Sequence, residues 1–382
     1  MTISNDLFLS ILSMDSYNRG YGEGITGLGG VGSQIGAATI GQQSDTLDGT
    51  PGVGASFYAL SYTIGSGVAG IASGTTVISY RGTDYPGYEL PFVDWPISYL
   101  GTYDKAQIVM ASEFCQFVDP NGTANLILTG HSLGGALAGF TGAMLGEQAV
   151  MVDNIGFTQA LHNLIAYVNG IISNNDQAYL SVLSMGSYAE AAQQLATLYD
   201  LNYSDPIIQE YISGILNYNY RLFQAFDLSG LNPLDEVEMF TRFSNGDIRG
   251  FFLSGSVAEL TRDLPPYPVA TLFQQIGDIV SFEISPTQAH GVALNVIMKY
   301  VEQEWNQLGL MNFLPVFSEG LQALHNDGVG FQAGFLGAGN QGAYSSSGKM
   351  MSAMAYSALE GPGLVFGDTA IRSFFNDLSG NV

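Results

Sequence analysis

The residues most able to do chemistry are gathered in Gly130-His131-Ser132-Leu133-Gly134. A serine between two glycines can sit on a sharp strand-to-helix turn, because the missing side chains let backbones approach closely. Held there, its hydroxyl can attack an acyl carbon, and the start of the following helix favours the negative charge that develops beside it. In a chain with 49 glycines the pentapeptide alone recurs by chance, so its surroundings carry the weight. Before it, Asn125-Leu-Ile-Leu-Thr129 reads as a short apolar strand; after it, Ala136 to Leu145 reads as a helix of small and apolar residues.

A second segment, Ser79-Tyr-Arg-Gly-Thr-Asp84, lies upstream and follows the buried-strand pattern Val77-Ile-Ser-Tyr80. Acyl transfer needs fixed N–H donors for the oxyanion of its tetrahedral intermediate. The amide of Leu133, next after the serine, is one such donor. Thr83, on a loop ending an early strand, offers both an N–H and a hydroxyl. Arg81, one of only ten basic residues, suggests an anchoring ion pair beside the site.

Together, Tyr80-Arg-Gly-Thr83 and Gly130-His-Ser-Leu-Gly-Gly135 resemble the class 3 lipases, a bacterial lipase or esterase pattern within the α/β-hydrolase superfamily. The likeness runs well over residues 55–160, with Asn154-Ile-Gly-Phe157 in the place of the next strand, and loosely elsewhere. It implies Ser132 as nucleophile and Thr83 with Leu133 as oxyanion hole. It implies hydrolysis of lipid or other hydrophobic carboxylic esters through an acyl-enzyme. Triacylglycerol lipase, esterase and phospholipase A1 share this apparatus, and a catalytically weak scaffold used as a lipid-binding module is the alternative of a different class.

The general base must come from four histidines. His131 lies inside the elbow and His162 on a helix. His290 opens a helix after a strand, where this fold presents its base, and His325 in Leu324-His-Asn-Asp-Gly328 is the competitor. The acid should follow the strand before that of the histidine. The family pattern Asp-Ile-Val-Pro-x-Leu-Pro-Pro has two partial echoes here. Glu259-Leu-Thr-Arg-Asp-Leu-Pro-Pro266 keeps the Leu-Pro-Pro spacing and places Glu259 at the acid, whereas Gly277-Asp-Ile-Val280 offers Asp278. With a last strand at Ile279–Ile284, Asp278 would begin it, at the wrong end of the sheet for His290. Two triads are therefore self-consistent: Ser132–Glu259–His290, which is preferred, and Ser132–Asp278–His325.

The elements that must position these residues follow from periodicity. Residues 6–18 have helical spacing behind an Asp. Residues 20–75 read as short strands and turns, and residues 103–118 as a helix. Val150 to Phe157 gives a strand after the nucleophile helix. From 160 to 245 strand signals vanish and helices take over, with Asp205-Pro206 opening one of them. Strands return at Ile248–Leu253 and Ile279–Ile284, and a helix is expected over 289–308. Alternating strands and helices around a helical insertion predict one parallel α/β sheet carrying a helical cap, and the resemblance makes that an α/β-hydrolase fold with a mostly parallel central sheet. Residues 1–382 form one domain in this reading, and 160–245 form a helical cap or lid inside it. The insertion is rich in Tyr and Phe, which suits a helical core and an acyl-lining lid alike.

Composition narrows the partners. With Lys and Arg 10 against Asp and Glu 34, the net charge is −24, so no nucleic-acid partner is expected and anionic membrane surfaces should repel the chain. The resemblance implies a lipid or ester substrate, with a lipid–water interface as its setting. No apolar run reaches the ~20 residues of a transmembrane span. The single cysteine, Cys115, rules out an intrachain disulfide and sits in an apolar stretch as a small core residue. No zinc spacing, P-loop or dinucleotide fingerprint is present; no cofactor is required, and the acidic chain leaves room for a structural calcium. The N-terminus has no basic n-region, so secretion without a cleaved N-terminal signal is expected, with a cytoplasmic location the alternative.

Overall fold

The computed structural model of the chain describes residues 4–16, 30–35, 37–44, 57–65, 70–83, 95–98, 100–103, 106–173, 177–228, 233–254, 256, 273–278, 295–296, 298–299 and 302. Its centre is an eight-stranded sheet whose strands lie side by side in chain order. They are β1 (Gln34–Ile35), β2 (Ala38–Gln43), β3 (Ala59–Ile64), β4 (Thr76–Tyr80), β5 (Leu126–His131), β6 (Gln148–Val152), β7 (Ile248–Ser254) and β8 (Phe273–Asp278). The first four pair antiparallel. From β4 to β8 every pairing is parallel. Parallel strands need crossovers long enough to hold a helix, and these crossovers bring the helices onto the sheet.

Each face has its own cover. Helix α1 (Asn5–Ser16) is buried from Leu7 to Ser16. Ser79 Oγ donates to the Leu12 carbonyl of α1 at 3.2 Å, and Ser13 Oγ lies 2.8 Å from Thr129 Oγ1. The next residue along β4, Tyr80, sends its hydroxyl to the carbonyl of Ala111 at 2.9 Å. Ala111 belongs to α3 (Ala106–Val118), which follows the short α2 (Trp95–Ser98). Successive side chains of a strand point to opposite faces, so α1 and α3 lie on opposite sides of the sheet. The mixed α/β architecture with a mostly parallel central sheet is that of an α/β-hydrolase fold.

Helix α4 (Leu133–Leu145) joins β5 to β6 and ends on Gly146, whose left-handed φ of 79° lets its N–H reach the Gly142 carbonyl. Between β6 and β7 the described residues form five helices: α5 (Thr158–Ser173), α6 (Gln177–Leu183), α7 (Tyr188–Leu198), α8 (Pro206–Ala225) and α9 (Glu236–Ser244). Their starts are written in the sequence. Ser187 accepts from the Glu190 N–H, Asp205 from Ile207 ahead of which Pro206 sits at the first turn, and Asp235 from Val237 and Glu238. The C-terminal part of α8 is tied to α3. Arg221 grips Glu113 with two bonds of 2.9 and 2.7 Å, Gln116 Nε2 reaches the Ala225 carbonyl at 2.9 Å, and Ser112 Oγ donates to the same carbonyl. Phe226 packs its ring 6.0 Å from that of Phe140 on α4.

Two boundaries differ from the sequence reading. The strand after the nucleophile helix is Gln148–Val152 alone, and Asn154–Phe157 is an irregular link into α5. It stops because Asp153 turns left-handed, at φ 40°. The last described strand is Phe273–Asp278, paired with β7 through Ser254↔Asp278, so Asp278 ends a strand instead of beginning one. The expected strand Ile279–Ile284 lies outside the described residues. Of the helix expected over 289–308, residues 295, 296, 298, 299 and 302 are described and all are helical.

Candidate active site

The site is built around one unusual backbone. Ser132 joins β5 to α4 at φ 57° and ψ −123°, a conformation that costs a non-glycine residue ~1–3 kcal/mol and persists only where its surroundings enforce it. Here they do. The Ser132 N–H donates to the Val152 carbonyl at 3.1 Å, and the Ser132 carbonyl accepts from Ala136 at 3.1 Å and Ile155 at 3.3 Å. Glycine makes the turn sterically feasible. A Cβ on Gly130 would stand 2.3 Å from the carbonyl carbon of Gly134, and one on Gly134 would stand 2.1 Å from the Tyr80 carbonyl oxygen. The predicted elbow is thus present, in the predicted strand–turn–helix setting.

The same contact places the second motif. Because the first turn of α4 lies directly against the Tyr80 carbonyl and Arg81, the segment leaving β4 is held at the elbow. Thr83 is half-buried on that segment, and Leu133 is buried at the first position of α4, where N–H groups have no partner inside the helix. Arg81 is buried, its N–H donating to the Tyr58 carbonyl at 2.9 Å and its guanidinium lying 4.9 Å above the Tyr58 ring. Both partners of the elbow therefore issue from the carboxyl ends of neighbouring parallel strands, the end at which open α/β sheets bind ligands.

Two of the four histidines fall among the described residues. His131 is buried in β5. His162, on α5, holds Glu236 of α9 through Nδ1 at 2.6 Å and is part of the helical insertion's own packing. His290, His325 and Glu259 lie outside the described residues. Asp278 lies at the carboxyl end of β8, the same edge as Ser132, which removes the objection to pairing it with His290. Cys115 is buried with its Sγ 2.9 Å from the Tyr80 hydroxyl. Burial pushes its thiol up to about 12, so it is a neutral core residue at ordinary pH. Burial likewise holds the Tyr80 phenol well above its usual range.

One carboxylate escaped the sequence reading. Asp153, directly after β6, is fully buried, donates its N–H to the Phe251 carbonyl at 2.8 Å, and accepts from Ser256 Oγ at 2.7 Å. The available signal was an acidic residue ending the apolar run Ala149-Val-Met-Val152, on the strand beside that of the nucleophile. Among the described residues no group of three or more His, Cys, Asp or Glu side chains is arranged to hold a metal, and no helix is long and apolar enough to cross a membrane.

A strained strand-to-helix elbow at the carboxyl edge of a mainly parallel sheet is the arrangement of the α/β-hydrolase fold. Residues 98–177 match the family model for lipase (class 3), consistent with a class 3 lipase of that superfamily and, in general, with a lipase-type ester hydrolase. The matched stretch holds the elbow, α4 and β6 but begins after Tyr80–Thr83, whose place beside the elbow rests on the contact of Gly134 with Tyr80 and Arg81. Neither a curated protein nor a solved structure matches the chain.

Proposed function

We propose that the chain hydrolyses lipid or other hydrophobic carboxylic esters through an acyl-enzyme on Ser132. The observation that carries this reading is the backbone of Ser132, held at φ 57° on the turn between β5 and α4 with the end of β4 pressed against it. In the mechanism, a histidine takes the Ser132 proton as Oγ adds to the ester carbonyl. The N–H of Leu133 and the N–H or hydroxyl of Thr83 hold the oxyanion. The imidazolium protonates the departing alcohol, and water, activated by the same histidine, releases the acid. His290 is the proposed base, with His325 the alternative. Glu259, with Asp278 the alternative, is the acid that sequence position favours. No cofactor enters the reaction.

A lipid–water interface suits the surface of the insertion. Ile207 and Tyr211, one turn apart on α8, are 74% and 58% exposed, and Leu198 and Tyr199 at the end of α7 are also exposed. Apolar side chains grouped on a helical subdomain are the kind of surface that adsorbs to an ester aggregate.

Hydrolysis of short and long p-nitrophenyl esters by the wild type and by Ser132→Ala tests the proposal. Ser132→Ala should lose on the order of 10⁴–10⁶-fold in kcat, by analogy with other serine nucleophiles. An equally active Ser132→Ala would sink the whole reading. The His290→Ala, His325→Ala, Glu259→Ala and Asp278→Ala variants assign the partners, and chain-length dependence separates lipase from esterase.

A further inference from the structure

We infer that Asp153 is the carboxylate that orients the catalytic histidine, an assignment that rests on the Ser132 hydrolase reading above. The geometry comes first. Asp153 ends β6, the strand hydrogen-bonded to the nucleophile strand, in the register His131↔Val152. The main chain ties the two turns together, Ser132 N–H to the Val152 carbonyl and Ile155 N–H to the Ser132 carbonyl. Its carboxylate accepts from Ser256 Oγ, two residues past β7, so the side chain is directed from the end of β6 toward the β7 side of the edge. The chain leaves β8 at that edge, and the segment carrying His290 follows β8 in sequence.

Burial and position then single this carboxylate out. A carboxylate is costly to bury unless hydrogen-bonded and matched by positive charge. Asp153 is at 0% exposure with Ser256 Oγ donating to it, in a left-handed conformation of φ 40° that an aspartate adopts at some expense. An imidazolium formed in each catalytic cycle is the charge such a group stabilises. Its place at the end of β6, beside the turn that holds Ser132, sets it apart from other described carboxylates, whose partners lie on other elements. Asp6 holds Arg249, Asp15 accepts from Tyr62, Glu113 holds Arg221, and Glu236 holds His162. Asp153 acts through the histidine, so it is a positioning residue.

The test separates charge from shape. Asp153→Asn keeps the size of the side chain and an oxygen for Ser256, and removes only the charge. In ester hydrolysis by the full chain it should lower kcat about 10³–10⁴-fold while KM and Tm stay near wild type. Labelling of Ser132 by a fluorophosphonate should slow in parallel, because that reaction reads nucleophile activation without substrate binding. Asp153→Glu, which restores the charge, should recover part of kcat. Wild-type kcat in Asp153→Asn overturns the inference, as does a collapse of kcat in Glu259→Gln or Asp278→Asn with Asp153→Asn unimpaired. If Asp153→Asn does not fold, Ser256→Ala takes its place. Removing the donor that fixes the carboxylate should cost about tenfold in kcat at unchanged KM, and no change overturns the proposal. Ser132→Ala, run beside them, keeps the two questions apart. An inactive Ser132→Ala with an active Asp153→Asn refutes this inference alone, whereas an active Ser132→Ala refutes the hydrolase reading beneath it.

Discussion

The elbow and the helical insertion are built by opposite means. At the elbow, structure comes from side chains that are missing: main chains of β4, β5 and α4 approach so closely that Gly130 and Gly134 have no room for a Cβ. In the insertion, Gly170, Gly186 and Gly214 have nothing within 4 Å of a Cβ, and structure comes from side chains that are present. There Arg221 holds Glu113, Phe226 meets Phe140, and Tyr220 donates to the Met185 carbonyl at 2.7 Å. Backbone contacts admit few sequences. Side-chain contacts admit many, provided volume and hydrogen bonds are kept. One region should therefore be brittle and chemically specific, the other tolerant.

The harshest probe of that contrast is Gly134→Ala. The added methyl would stand 2.1 Å from the Tyr80 oxygen and 2.7 Å from its carbon, and both belong to a strand buried in the sheet. Neither can rotate aside as a flexible side chain would. We expect a loss of more than ~4 kcal/mol or no soluble protein, and no esterase activity in whatever folds. Denaturant titration with an activity assay checks both. Wild-type stability would mean that the end of β4 can retreat, and the coupling between elbow and oxyanion segment would then be loose.

Phe226→Ala cuts into the other region. Phe226 is 5% exposed and packs across to Phe140 of α4, so truncation should cost about 3 kcal/mol through lost burial and a residual cavity. The elbow's backbone does not depend on that ring, and kcat on a short p-nitrophenyl ester should stay within about threefold of wild type. A kcat falling with stability would show that α8 props α4 in place, and the two regions would no longer be separable.

The same contrast explains what was legible in the sequence. Glycines at fixed spacing are forced by close approach, so Gly130 to Gly135 announced the turn, the strand before it and the helix after it. Helix starts such as Asp205-Pro206 and Asp235 were equally plain, because capping is a local interaction. Strand β8 was not. Phe273-Gln-Gln-Ile-Gly-Asp278 has weak strand character and is defined by main-chain pairing to β7, whereas the more apolar Ile279–Ile284 attracted the expectation. Asp153 was invisible for a related reason. Its interest lies in total burial beside Ser132, and a sequence does not show which acid a sheet edge encloses. The buried face of α1 was legible only as a helix, since its closure on every side depends on the strands it covers.

The gentlest probe reverses the sign of the first. Gly214 lies in the middle of α8, exposed, with open space where a Cβ would project. Glycine inside a helix gives up more backbone freedom on folding than alanine, so Gly214→Ala should stabilise the chain by about 0.5–1 kcal/mol. That is a rise of roughly 1–2 °C in Tm for a domain of this size, read by calorimetry. The substitution is chemically identical to Gly134→Ala, and only the surroundings of the glycine differ. An opposite sign at the two sites would tie brittleness to close backbone approach instead of to glycine content. Destabilisation by Gly214→Ala, or a shift in acyl-chain preference at unchanged stability, would show that something approaches this face of α8 closely. The exposed Ile207 and Tyr211 lie on the preceding turns of the same helix, so such a shift would move the insertion from passive packing to contact with substrate.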